Sequence, residues 1–496
     1  MLLRTFFLAT ALIFASHGLA APAEPRIQSV VETVMVERAI PGAQLVLISP
    51  EEPWQRSFGV RDLAAAAPMT DDTLVQAGSV TKIFTASLVA DLVAQGKLRW
   101  TDDLSKLLPG VAIRPDLATI TLDELVTHSA RLPGNPPNRV DKDGVMQPYS
   151  VTELYASLAD PASKRDGPGR RYSNWGYAIL GHIVERTAGK PFEAVLRERI
   201  FAPLAMTNSK IALGAPDEQR LATHYWPEDS PRIARPRWVF GEVAGFGGIT
   251  STAVDLAKFL AYQMAPERRP DVLDAAEVRA LREIRVLTPS WTVAGGRGWL
   301  VVRDPTGEIT IEHSGEVDGH SSYMGFSAET GVGIAVTANL GGSSARQIAL
   351  PVLAHAVARA RAERSLDRAA ALALVRKRQW ADAEAALAKL VAAAPDDGEL
   401  WHQLGAARYE LRDLPGAEAA LSSAERSSPK PASSTFLLAL IAASRGQTDA
   451  AFARLDRAMR ASVGDVDLER AEFRALHADS RWAKLGSDHL ALRRHH

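Results

Sequence analysis

The sequence predicts an α+β fold, in which an antiparallel sheet flanked by helices encloses an all-helical insertion, followed by an α-helical repeat domain. Three observations lead there. Strand-like runs occur in two separated places, 43–60 and 297–340, while helical patterns fill most of the chain between them, so one sheet must be assembled from both ends. Beyond residue 366 strand patterns vanish, alanine and leucine rise, and the same residue types return at intervals of 34. At 496 residues the chain is also too long for one ordinary core.

The chain opens on Met-Leu-Leu-Arg, an apolar run, and a segment whose Gly18 and Ala20 form the small-x-small end of a secretory signal. Residues 1–20 are read as a signal peptide, and the protein as exported, periplasmic or secreted. The apolar run is short for a bilayer span, so no stable membrane anchor is expected. No cysteine occurs, which leaves neither a disulfide framework nor a lipid-attachment thiol. Lysine and arginine number 57 against 58 acidic residues, so nothing marks nucleic acid or an anionic membrane as a partner.

Residues 26–38 carry apolar side chains at helical spacing, and Pro41-Gly42 ends that helix. Two strand-like runs, 43–49 and 54–60, follow as a hairpin across a Ser-Pro-Glu-Glu-Pro break. A strongly apolar helix starts near Ser79. Short helices joined by surface loops occupy 107–148, including a Pro/Gly/Asn-rich loop at 133–148, and helical patterns dominate 152–208 around a Pro-Gly loop at 167–174. Strand-like runs at 297–303, 309–313, 321–327 and 332–339 complete the sheet, and a helix at about 344–362 closes a domain spanning 26–362.

In the last part Ala383, Ala417 and Ala451, Leu387, Leu421 and Leu455, and Pro395 and Pro429 stand 34 apart. With Trp401, Leu404, Gly405 and Ala424 they resemble the large and small packing residues of tetratricopeptide (TPR) repeats, three of them over 367–463, in a repeat domain of 367–490 capped by its own tail. An alanine-rich helical bundle is the plainer reading. The regular interval argues against it.

Ser79 and Lys82 stand three apart at the start of the apolar helix, which puts hydroxyl and amine on one face. A buried lysine is costly without a partner or a task, and burial makes its amine a better proton acceptor near neutral pH. Gly78 permits a sharp entry and leaves first-turn N–H groups free beside the serine. Ser-x-x-Lys is a short pattern, however, and recurs at Ser427–Lys430 around a proline, where a repeat helix offers no chemistry. Taken alone, Ser79 and Lys82 could be a helix cap and a lysine reaching back to solvent.

Two further clusters raise the first copy above the second. Tyr172-Ser173-Asn174 follows the Pro-Gly loop, and His313-Ser314-Gly315 ends a strand-like run. In the order Ser-x-x-Lys, Tyr-x-Asn, His-x-Gly, and with 125–134, 244–252 and 319–326, the chain over 26–360 resembles the serine β-lactamase and penicillin-binding D,D-peptidase superfamily, in its class C β-lactamase-related branch. The resemblance implies a β-lactamase/transpeptidase-like fold and an acyl-serine mechanism. Ser79 attacks a carbonyl, Lys82 and Tyr172 share the role of base as a coupled pair, and Asn174 orients Lys82 and binds substrate. The backbone N–H groups of Ser79 and Glu316 form the oxyanion hole, with His313, Ser314 and Gly315 lining the substrate.

His313 departs from true class C β-lactamases, which the resemblance says carry lysine there, and Glu316 adds a negative charge next to it. A histidine is mostly neutral near pH 7. Both features favour D,D-carboxypeptidase, D-amino peptidase or esterase activity over a class C-like β-lactamase. No His-rich or His/carboxylate cluster stands at metal-ligand spacing, and no cofactor is expected. A different class of reading remains, a catalytically idle sensor or scaffold whose repeats hold a protein partner. The intact Ser79, Lys82, Tyr172 and Asn174 speak against it.

Overall fold

The computed structural model describes residues 25–494 apart from 50–52, 140, 143–144, 166, 168, 231, 289–290, 428–431 and 463–465. The predicted signal peptide, Pro429 and most of the second Ser-x-x-Lys pattern lie outside the described residues. The chain divides into two compact units, one ending at Val357 and the other beginning at Ala358.

In the first unit a helix, α1 (Pro25–Arg38), leads into β1 (Gly42–Ile48), β2 (Trp54–Asp62) and the short β3 (Ala67–Pro68). The later strands are β4 (Val286–Leu287), β5 (Val293–Gly295), β6 (Leu300–Arg303), β7 (Ile309–Val317), β8 (His320–Ser327) and β9 (Val332–Ala338). They form one antiparallel sheet in the order β3-β2-β1-β9-β8-β7-β6-β5-β4, joined where Ala43 of β1 faces Ala338 of β9. The expected α+β plan, with the two ends of the domain meeting in one sheet, is therefore what the chain adopts. β7 and β8 are linked by Asp318-Gly319, a two-residue turn whose Gly319 takes the positive φ such turns demand. His313, expected at the end of a strand, lies in the middle of β7.

α2 (Thr81–Ala94) packs against α3 (Asn174–Ala188), and α4 (Ala253–Met264) packs on β1, β8 and β9. α2 is buried from Thr81 to Leu92, on every side. Its Phe84 stacks on Phe259 of α4 at 3.7 Å. Burial all round forces each of its polar groups to find a partner. Thr85 donates to the Gly245 carbonyl, Ser87 accepts from Gln263, and Asp91 takes both arms of Arg199 at 2.8 Å.

The closing helix, α5 (Ser344–Arg376), runs well beyond the expected 362. The stretch 362–376 is rich in alanine, leucine and arginine and contains no glycine or proline, so nothing stops it where composition shifts.

The second unit continues with α6 (Trp380–Ala393), α7 (Gly398–Glu410), α8 (Leu414–Ser427), α9 (Ala432–Ser444), α10 (Thr448–Ala461) and α11 (Ser480–Arg494). Consecutive helices of this series pack on one another. The residues that recur at the 34-residue interval, Ala383, Leu387, Ala417, Leu421, Ala451 and Leu455, are all fully buried. Trp401 covers the end of one turn by donating its indole N–H to the Pro395 carbonyl at 2.7 Å.

Candidate active site

The segment before Ser79 is held from two directions. Val75 and Gln76 pair with Ser251 and Thr250, and the Ala77 N–H donates to the Ile249 carbonyl at 2.8 Å. From the sheet side, Ser322 of β8 donates its hydroxyl to the Ala77 carbonyl at 2.6 Å. Gly78–Val80 then form a single 3₁₀ turn into α2. Two glycines allow β7 to lie directly on this turn. Gly78 takes φ +54°, and a Cβ there would stand 2.6 Å from the Glu316 nitrogen; a Cβ on Gly315 would stand 1.9 Å from the Ala77 oxygen. Side chains at either position are excluded, and the Glu316 backbone nitrogen is brought beside the serine turn.

The strand register says which way that nitrogen faces. Val317 and His320 flank a two-residue turn and are a hydrogen-bonded pair, so alternation turns the N–H and C=O of Ser314 and Glu316 away from β8. β6 ends its pairing at Leu300 opposite Glu312. Beyond that point the outer edge of β7 has no neighbouring strand among the described residues. The Glu316 N–H thus projects from a free strand edge next to Ser79.

Lys82 is wholly buried. Its Nζ lies 2.8 Å from Asn174 Oδ1, 2.7 Å from the Phe246 carbonyl oxygen and 3.1 Å from Ser79 Oγ. Desolvation holds its pKa well below the ordinary lysine value. The first two neighbours can only accept. A neutral amine has two N–H donors for them and one lone pair left, which faces the Ser79 hydroxyl.

The orientation of Asn174 follows from a chain of donors and acceptors. Arg139, which can only donate, gives a hydrogen bond to Asn135 Oδ1 at 2.8 Å, and Asn174 Nδ2 donates to the same oxygen at 3.2 Å. That leaves Asn174 Oδ1 for Lys82.

Tyr172 and Asn174 owe their places to the loop before them. The Ser173 hydroxyl caps α3 by accepting from the Gly176 N–H and donates to the Pro133 carbonyl, so the Tyr-x-Asn motif is also a helix cap. The Ser173 N–H donates to His128 Nδ1 at 3.1 Å, and the His128 ring lies 4.6 Å from that of Tyr172. His128 is buried in a left-handed backbone conformation, and desolvation holds it neutral. Tyr172 retains 38 % exposure, yet crowding of its hydroxyl end raises its pKa. The Ser79 hydroxyl and the Arg170 charge oppose that rise without cancelling it. Lys82 Nζ stands 4.8 Å from the Tyr172 ring centre. Burial thus pushes both members of the expected pair toward their neutral forms, phenol and amine, against the mutual attraction of phenolate and ammonium.

His313 shares the β7 face with Gly315 and looks toward Tyr172, ring centres 6.4 Å apart. Its Nδ1 meets the Ser314 carbonyl at 2.7 Å. A carbonyl only accepts, so the proton is on Nδ1 and Nε2 carries a lone pair. Desolvation brings its pKa down to about 3. Ser314 stands on the opposite face of the strand, and its hydroxyl has no hydrogen bond among the described residues. Glu316 is on that face too, and its carboxylate accepts from the Ser343 N–H at 2.6 Å, at the start of α5. The expectation that Glu316 weighs on the site as a negative charge is corrected: strand alternation sends the carboxylate to a helix N-terminus and leaves only its backbone at Ser79.

Ser79, Lys82, Tyr172, Asn174, His313, Gly315 and the Glu316 nitrogen are thus brought together. The Phe246 carbonyl, His128 and Asn135 escaped the sequence reading as site groups, although 125–134 and 244–252 stood out as motifs.

Penicillin-binding protein 4 of Amycolatopsis lactamdurans is 29% identical over 331 residues, covering 62% of this chain and 84% of that one. The octameric penicillin-binding protein homologue from Pyrococcus abyssi superimposes with a TM-score of 0.58 at 26% identity, over 67% of this chain and 77% of its own. The β-lactamase/D-alanine carboxypeptidase from Pseudomonas syringae shares the fold, with a TM-score of 0.57 at 21% identity, over 67% and 98%. The β-lactamase family model matches residues 27–358, nearly the whole of the first unit, and the protein accordingly belongs to the β-lactamase family as a serine hydrolase.

Proposed function

We propose that the protein is an exported acyl-serine hydrolase with Ser79 as nucleophile and Lys82 as its base, acting on D,D-peptides, D-amino peptides or esters. The observation that carries this is the valence of Lys82. Two obligate acceptors, Asn174 Oδ1 and the Phe246 carbonyl, take two of its N–H groups, and Ser79 Oγ lies 3.1 Å from its remaining valence, which in the neutral amine is a lone pair able to take the serine proton. As Oγ bonds to the substrate carbonyl carbon, the proton passes to Nζ. The developing oxyanion is held by the Ser79 and Glu316 N–H groups, a contribution typically worth about 10²–10³ in rate for one such donor. Tyr172, kept as a phenol, gives its proton to the leaving amine or alkoxide and recovers one from the Lys82 ammonium. Water then hydrolyses the ester at Ser79.

The preference for peptides or esters over β-lactams rests on His313, whose neutrality removes the fixed charge that the family resemblance associates with that position. The Pseudomonas syringae neighbour, named a β-lactamase/D-alanine carboxypeptidase, keeps antibiotic hydrolysis as the second reading. A protein partner for the helical unit, through TPR-like repeats, is proposed only on its sequence interval.

Labelling with a fluorescent penicillin or a fluorophosphonate tests the core of the proposal. Wild type is expected to be labelled and Ser79→Ala not; equal labelling of the two overturns it. Parallel rates on nitrocefin, an acyl-D-alanyl-D-alanine peptide and p-nitrophenyl esters then rank the substrate classes.

A further inference from the structure

The geometry points to Arg170 as the anchor for a carboxylate next to the scissile acyl group of the substrate, supplying from the Tyr172 loop the positive charge that β7 lacks at His313. The inference rests on the acyl-serine reading of the same site and adds to it a residue and a substrate feature.

Arg170 stands two residues before Tyr172 and lies over β5, where a Cβ on Gly295 would come within 2.9 Å of its Nε. That nitrogen is buried and has no hydrogen-bond partner. The two terminal nitrogens are equally without a partner among the described residues, but they keep contact with solvent. The guanidinium is thus seated along its shaft and open at its tip.

Its isolation is unusual for this part of the molecule. Arg165 of the same loop pairs with Glu124 at 2.7 Å, Arg297 with Asp123 at 2.6 Å, and Arg346 with Glu312 at 3.0 Å. Glu124, Asp123 and Glu312 are therefore already engaged. The groups within electrostatic reach of Arg170 are Tyr172, Tyr177, His128 and His313, none of them an anion at neutral pH. Lys82 points its nitrogen at Ser79, Asn174 and Phe246. A half-buried guanidinium without a counter-ion among the described residues, within electrostatic reach of Tyr172 and His313, has one strong unmet preference, a planar carboxylate taken by two parallel N–H bonds.

The test compares one acyl-D-alanyl-D-alanine peptide with its C-terminal carboxamide. Wild type is expected to favour the free carboxylate in kcat/KM, and Arg170→Gln to lower the carboxylate-to-carboxamide ratio about 10- to 100-fold, mostly through KM, the scale of a charge-assisted hydrogen bond. Arg170→Lys should restore part of the ratio. Because partial unfolding lowers both rates together, the ratio reads the anchor alone. A ratio unchanged in Arg170→Gln overturns the assignment, and so does an equal fall for both peptides, which would mean that Arg170 only tunes Tyr172. Calorimetric binding of both peptides to Ser79→Ala, with and without Arg170→Gln, is independent of turnover. Should wild type hydrolyse neither peptide and resist labelling at Ser79, the hydrolase reading fails; carboxylate-selective binding lost in Arg170→Gln would still uphold the anchor, while absent or unaltered binding would overturn it.

Discussion

α2 in the first unit and α10 in the second are each 14 residues long, and both pack into a core, but they are held in different ways. α2 is buried on all sides and carries Lys82, Thr85, Ser87 and Asp91 into the interior, each answered by a specific group from a distant part of the chain. α10 buries one face of alanine, leucine, phenylalanine and methionine against neighbouring helices, and its Arg454 and Arg457 reach the half-buried carboxylates of Glu418 and Glu425 on α8. Buried polar groups demand partners at fixed places, and that precision is what a reacting site needs. Apolar faces and surface ion pairs ask less, since exposed pairs are each worth about 0–1 kcal/mol. The two units therefore separate chemistry from stacking.

The sharpest way to break that contrast is to remove the amine. Lys82→Met keeps the length and apolar stem of the side chain and deletes the lone pair that faces Ser79. Acylation by an activated ester, followed by stopped flow, is expected to fall by about 10²–10⁴, the usual contribution of a positioned base. In wild type the acid limb of the acylation profile should rise with pH, because the deprotonated amine is the active form, and in Lys82→Met that limb should vanish. Persistence of the limb would shift the base to another group.

How much of this could be read in the sequence follows the same division. Ser79 and Lys82 are legible because helical spacing is local, and Tyr172 and Asn174 because a capped loop is local too. The 34-residue interval marks the buried residues of the second unit because repeated packing repeats its residue types. The Phe246 carbonyl is not legible, since every residue has a carbonyl and only the fold brings this one to Lys82. Nor is the fate of Glu316, whose charge and backbone part company only once the register of β7 is known. Arg170 reads as an ordinary loop arginine until its neighbours prove to have other partners.

A second perturbation, smaller in energy, runs the contrast the other way. Leu455 of α10 is fully buried, and Leu455→Ala is expected to cost about 2–5 kcal/mol, as for other buried leucines. The loss should show in hydrogen exchange of peptides from α8 to α10. Hydrolysis of a small ester per labelled Ser79 is expected to stay within twofold of wild type. A parallel loss of hydrolysis would mean that the units are energetically coupled.

Acid distinguishes the units most finely. His224 and His320 stack face to face at 3.5 Å beneath the strand that leads to Ser79, with the Gln76 N–H donating to His320 Nδ1 and Gln76 Oε1 accepting from His224 Nε2. Burial, aided by Arg237, holds His224 down to about 3, and burial also holds His320 well below its ordinary value. A histidine depressed in the folded state binds fewer protons there than when unfolded. Its stability contribution is complete above about pH 6.5 and is lost as pH falls toward the folded value. At pH 5 one such histidine costs about 2 kcal/mol. In the second unit Glu472 is lowered to about 2 by Arg470, and a depressed carboxylate gives up stability only below about pH 4.5. Between pH 6.5 and 4.5, then, the histidine linkage acts on the first unit while the Glu472 linkage is still silent. Hydrogen exchange at pH 7.5 and 5.0, corrected for intrinsic rates, should show β8 peptides losing protection relative to those of α8 to α10. Equal losses in both units would remove the stacked pair as the cause, and Gln in place of His224 should abolish part of the difference.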